Sequence, residues 1–168
     1  MLRFILTVFL ACLTFGGRTI ATAQQIPGTE AETVNGQKIS FPAALQGHTT
    51  ILVMSFSRDA GPGSDAWAAA LASDPTFAAL PVYRAAMLEA APGFVRSLIR
   101  SSLRRQLAPS QQARYLLFSR DEKLWRAALT PTADKQPVVA ILTPDGRLRW
   151  HAQGPPVQLL PRMRSELR

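Results

Sequence analysis

A continuous apolar run, TILVMSF at 50–56, has the length of a strand and no polar alternation. That pattern fits a strand buried on both faces. VYRAAML (82–88) reads as a second central strand, and RYLLFS (114–119) as a short third. Helical stretches separate them. Ser64 or Asp65 can cap a helix running to about Ser73. Pro92 opens a helix over about 93–107, and Asp121 can cap one to about Leu129. In PVVAILTPDGRLRWHAQG (137–154) an apolar strand, a Pro-Asp-Gly turn and an alternating strand follow one another. The alternation puts Leu148, Trp150 and Ala152 on one face and Arg147, Arg149 and His151 on the other. PVQLLPRMRSEL predicts a last amphipathic helix that Pro161 must start or kink. Near the beginning, Asn35-Gly36 between short strand-like flanks in TVNGQKIS predicts a hairpin. QQIPGTEAE (24–32) is polar and reads as a flexible arm. Strands alternating with helices, closed by a hairpin and a helix, predict an α/β sandwich around a mixed sheet.

The first 23 residues stand apart. Arg3 precedes the apolar run FILTVFLACLTF, and ATA at 21–23 offers small residues for cleavage. This is the order of a secretory signal peptide cut before Gln24. The run is shorter than a membrane-spanning helix needs, and a mitochondrial presequence would be amphipathic rather than solidly apolar. A lipoprotein reading would need cleavage before Cys12, but Phe9-Leu10-Ala11 lacks the small residues such a site wants. The expectation is export, to the periplasm in a Gram-negative cell. Domain residues 33–168 would follow the arm. Cys12 is the only cysteine of the 168-residue chain and would leave with the leader. The remaining chain would hold no thiol and no disulfide, and its core must suffice.

The net charge of +8 becomes +6 without Arg3 and Arg18. A basic balance favours acidic partners or anionic membrane surfaces without specifying either, and export argues against nucleic acid. No metal site or cofactor is expected. His48 and His151 are far apart and have no acidic cluster beside them, so both read as ordinary surface residues. Ser57, Ser64, Asp59 and Asp65 do not amount to a hydrolase, because no G-x-S-x-G elbow is present. The P-loop pattern is also missing. Trp67, Trp125 and Trp150 fall within regular elements and read as packing residues.

Two segments carry a resemblance. VNGQKISFPAALQGHTTILVMSF resembles the opening of TlpA-like and peroxiredoxin-like proteins of the thioredoxin-like superfamily. QPVVAILTPDGRLRWHAQG resembles their second half, where a cis-proline precedes a strand and an Asp-Gly turn joins the last hairpin. The resemblance covers most of 33–168, with extra sequence at about 89–113. It implies a thioredoxin-like three-layer α/β/α sandwich with a mixed central sheet and an N-terminal β-hairpin. It also implies that Pro137 is the cis-proline. Laying Phe56 on the family's phenylalanine puts Gly61, Pro62, Gly63 and Ser64 where the family carries Cys-x-x-Cys. Gly61 then stands for the nucleophile and Ser64 for the resolving cysteine. Glycine has no side chain, and a hydroxyl does not perform thiol–disulfide exchange. The turn keeps the free N–H groups of a helix start, so it reads either as a tolerant turn or as a peptide or anion site.

GFVRSLIRSSLRRQLAPSQQARYLLF resembles, more narrowly, a segment of the mitochondrial ATP-synthase assembly chaperone family. That implies help in assembling a membrane complex. On spacing alone, Arg96, Arg100 and Arg104 share a helix face with Arg105 beside them, while Val95, Leu98, Ile99 and Leu103 fall on another. The apolar side would dock on the sheet and the guanidinium groups would face outward. They would meet another envelope protein, a membrane complex or an anionic membrane surface, unless the face is merely solvated. The sequence-level reading is a non-catalytic, cysteine-less binding or assembly factor. A redox or peroxiredoxin-like enzyme and a structural accessory domain remain as alternatives. Oligomeric state and partner identity are not legible.

Overall fold

The structure is a computed structural model and describes residues 24–168. The expected leader, with Cys12, lies outside the described residues. Strand β4 (Thr50–Ser55) has all six residues buried, as its unbroken apolar run requires. It pairs in parallel with β5 (Val82–Met87), which pairs in parallel with β6 (Tyr115–Phe118). On its other side β4 runs antiparallel to β7 (Val138–Leu142), which turns through Thr143–Gly146 into β8 (Arg147–Gln153). Gly146 is at φ +81, a conformation that favours glycine.

The Asn-Gly hairpin forms between β2 (Thr29–Thr33) and β3 (Lys38–Phe41), with Gly36 at φ +95, and β2 joins the sheet beside β6. The expected flexible arm is instead part of the sheet. Gln24–Gln25 form β1 against β8, and β2 begins at Thr29. The reason is Ile26: one apolar residue in a polar stretch buries almost completely and brings its neighbours into pairing distance. The strand order is β1-β8-β7-β4-β5-β6-β2-β3, a mixed eight-stranded sheet.

The described residues form six α-helices: α1 (Gly61–Ser73), α2 (Pro75–Ala78), α3 (Gly93–Gln106), α4 (Pro109–Gln112) and α5 (Glu122–Leu129) between strands, and α6 (Pro156–Glu166) after the last. On one face of the sheet, Trp67 and Leu71 of α1, Phe77 of α2 and Met163 of α6 pack on Ile51, Val53, Val139 and Ile141. On the other face, Trp125 and Leu129 of α5 pack with Phe41 and Phe118 on Leu52, Met54 and Ala140. The ring centroids of Trp125 lie 5.3 Å from Phe41 and 5.1 Å from Phe118. All three tryptophans are buried. Each large side chain removed from water contributes roughly 1.5–3 kcal/mol, which is how a core without crosslinks holds. This is a thioredoxin-like fold.

Two caps differ from expectation. Helix α1 begins at Gly61 with Ala60 at its cap position, so Ser64 lies inside its first turn and is buried. Asp121 stands at the start of α5 with φ 68, but its carboxylate accepts from Thr29 Oγ1 instead. The α5 cap comes from a distant residue, as Glu89 Oε2 accepts from the Glu122 N–H at 2.6 Å. Pro161 lies inside α6.

Candidate functional site

The strand-to-helix turn after β4 places Gly61, Pro62, Gly63 and Ser64 in the first turn of α1. Space around them is unequal. A Cβ on Gly61 would meet nothing within 4 Å. A Cβ on Gly63 would lie 2.7 Å from Pro137 Cδ. The helix start therefore packs directly on Pro137, and the glycine permits that approach. Pro137 is not the cis-proline. Among the described residues the cis peptide bond is Phe41–Pro42. The resemblance implied a cis bond at Pro137, and bond isomer has no signature in local pattern.

The segment leading to Pro137 is held from several sides. Gln153 Oε1 accepts from Thr132 N at 2.8 Å and Ala133 N at 3.0 Å. Its Nε2 donates to the carbonyls of Ala133 and Gln136 at 2.6 and 2.7 Å. Ser57 Oγ donates to Asp134 O at 2.7 Å. Arg126 lies over the Phe56 ring at 4.7 Å and donates to both Glu122 and Asp134 at 2.7 Å. The hydrogen bond from Arg126 holds the Asp134 carboxyl below its usual range. Gln153 had no sequence signal beyond being polar at the end of β8.

Beneath the turn is Arg84. The sheet register aligns Val53, Arg84 and Tyr115 across three strands, so Arg84 lies in the middle of the sheet on the α1 side. Its Nε donates to Ser64 Oγ at 3.0 Å, and one terminal nitrogen donates to Asp65 Oδ1 at 2.5 Å. The guanidinium carbon stands 4.9 Å from the Tyr115 ring centroid. Burial raises the pKa of the Tyr115 hydroxyl, against the opposing pull of Arg84. The Ser64 hydroxyl is thus a fixed acceptor for an arginine. The sequence carries a signal for it: one charged residue interrupts an otherwise apolar central strand.

Helix α3 does not sit as its spacing suggested. Arg100 pairs with Glu32 of β2, and Arg104 Nε donates to Val34 O at 2.8 Å. Arg96 and Arg100 are half-buried, while Arg104 and Arg105 are exposed. The apolar side is split. Leu103 and Leu107 pack near Val34, Tyr115 and Leu117, whereas Phe94 and Leu98 point to solvent at 71% and 64% exposure. Arginine stems cover apolar surface while their heads reach acceptors, so charge alone did not fix which side faces in. Arg105 shares the outward stripe with Phe94 and Leu98. The four predicted arginines therefore do not form one free surface.

His48 is exposed, and His151 is half-buried within 3.1 Å of Thr130 Oγ1. Burial lowers the pKa of His151. Among the described residues no group of three His, Cys, Asp or Glu side chains could hold a metal ion, and no helix is long and apolar enough to cross a membrane.

No family model matches the chain, and no curated protein matches it in sequence. Solved structures do match it in fold. A thiol:disulfide interchange protein of the thioredoxin family from Chlorobium tepidum superposes with a TM-score of 0.51 at 18% identity, covering 80% of this chain and 88% of that one. A peroxiredoxin-like protein from Aquifex aeolicus gives 0.53 at 11% identity, with 86% of each chain covered. BsSco, of the Sco family of cytochrome c oxidase assembly proteins, gives 0.56 at 9% identity, covering 86% and 94%. These likenesses show that the chain has a thioredoxin-like fold.

Proposed function

We propose that this domain acts without thiol chemistry, as an exported binding or assembly factor that holds a partner protein in the cell envelope. The carrying observation is the outward stripe of α3. Phe94 and Leu98 lie one turn apart and are largely exposed, with Arg105 on the same side. Two neighbouring exposed apolar side chains beside a cation suit an apolar and acidic patch on another protein. The rest of the helix is committed to the sheet edge through Arg100 and Arg104.

The vacated turn supports the non-catalytic half of the reading. Gly61 offers no nucleophile, and the Ser64 hydroxyl is occupied by Arg84. Thiol exchange needs a thiolate at the helix start, and this turn supplies none. BsSco belongs to a family of assembly proteins on a similar scaffold. That likeness is consistent with an assembly role but does not carry it. Export rests on the pattern of residues 1–23, and an anionic membrane surface is the second occupant to test.

The experiment is crosslinking in the native envelope with the native chain and with a Phe94→Ser, Leu98→Ser variant. A discrete crosslinked protein should disappear in the variant while the melting temperature holds. Equal recovery from both would remove α3 from the reading. Co-sedimentation with anionic vesicles, lost in the same variant, would move the partner from protein to membrane. Insulin reduction or peroxide turnover above a heat-killed control would overturn the non-catalytic half.

A further inference from the structure

Between α1 and the α3–α4 connection the sheet is left partly uncovered. The opening is a trough of about 450 Å³ over β5. That volume falls within the roughly 300–1,000 Å³ of small-molecule sites. Leu71, Phe77, Leu80, Val82 and Leu107 form its apolar wall, and Arg84 and Arg114 supply its charge.

The charges do not balance. The Arg84 side chain is only 16% exposed, and its carboxylate partner, Asp65, is 72% exposed. Arg114 is exposed and has no ion pair among the described residues. No acidic side chain lines the trough. Two guanidinium groups thus line a largely apolar trough, and the one carboxylate that meets either of them, Asp65 on Arg84, does not line it. A guanidinium placed among apolar side chains is costly unless an anion meets it there. An aliphatic residue at 84 would have suited a central parallel strand better. The arginine is also preset. Ser64 and Asp65 take two of its nitrogens, and the second terminal nitrogen has no hydrogen-bond partner among the described residues.

We propose that this trough binds a small amphipathic anion, its acyl-type body on the apolar wall and its carboxylate or phosphate head between Arg84 and Arg114. The head would receive charge-assisted hydrogen bonds where water is partly excluded, and the body would cover the half-buried Leu80, Val82 and Leu107. The inference is independent of the α3 stripe, since Phe94, Leu98 and Arg105 do not line the trough.

Calorimetric titration of the purified protein with decanoate, decyl phosphate and decanol tests it. Decanoate or decyl phosphate should bind one to one and raise the melting temperature. Decanol should bind at least about tenfold more weakly, the value of a charged hydrogen bond. Preference for decanoate would indicate a free acid, and preference for decyl phosphate a lipid-type head. Ala72→Phe, at an exposed lining position, should fill the trough and weaken decanoate about tenfold or more without lowering the unliganded melting temperature. Arg114→Gln should weaken it several-fold. Arg84→Gln should erase the preference over decanol. Because Arg84 also holds Ser64 and Asp65, the other two variants decide if that one does not fold. Equal binding of decanol, undiminished binding by Ala72→Phe, or no binding at millimolar ligand would overturn the proposal.

Discussion

Gly63 shows how one residue sets the packing at the start of α1. Its missing side chain lets Pro137 close on the first turn of α1, where a Cβ would sit 2.7 Å from the proline ring. Two positions earlier, Gly61 has open space around it. Glycine at 61 removes chemistry, whereas glycine at 63 makes room for packing. Gly63→Ala should therefore destabilise the protein by roughly 1–3 kcal/mol, the range for overpacking a fixed contact. Urea unfolding measures it, and an unchanged midpoint would mean that the turn relaxes freely. Arg84 makes the complementary point. A single charged side chain in an apolar strand ties the sheet to Ser64 and Asp65 at the helix start.

Among the elements, α3 departs most from its pattern. The helix itself was legible: Pro92 at its start and the run to Leu107 bound it closely. Its orientation was not, because apolar and arginine positions alternate around it and either side could face the sheet. The contact that decides is Arg100 with Glu32, a residue of β2 that lay in the supposed arm. Reversing one charge should loosen the helix. Arg100→Glu is expected to cost about 1 kcal/mol, as for a half-exposed pair, and Glu32→Arg in that background should recover much of it. Four denaturation curves close the cycle. A coupling near zero would show that this ion pair does not hold α3.

For the whole molecule, the absence of thiols after residue 23 leaves packing and a few carboxylate contacts to secure the chain. Asp74 is one such contact, capping α2 through Thr76 N and receiving Arg164 of α6. Burial alone would raise its pKa, but the hydrogen bonds from Arg164 and Thr76 outweigh it and hold the carboxyl below its ordinary value. A carboxyl with a lower pKa when folded binds protons better when unfolded. Its contribution is complete above the ordinary value near 3.9 and is lost as pH falls through the folded one. The melting temperature should fall below about pH 4, more steeply for the native protein than for Asp74→Asn. Equal slopes in thermal scans across that range would remove Asp74 from the acid response. The sequence by itself determined the strands from Thr50 onward, the limits of α3 and α5, the hairpins and the lack of sulfur at residues 61–64, because these follow from local periodicity, turn residues and composition. Only the tertiary structure decided which side of α3 faces inward, that Glu89 caps α5, that Ile26 draws the arm into the sheet, and that Arg84 opens onto an apolar trough. Each of those joins residues far apart in the chain, and their energies depend on a distance that no local pattern encodes.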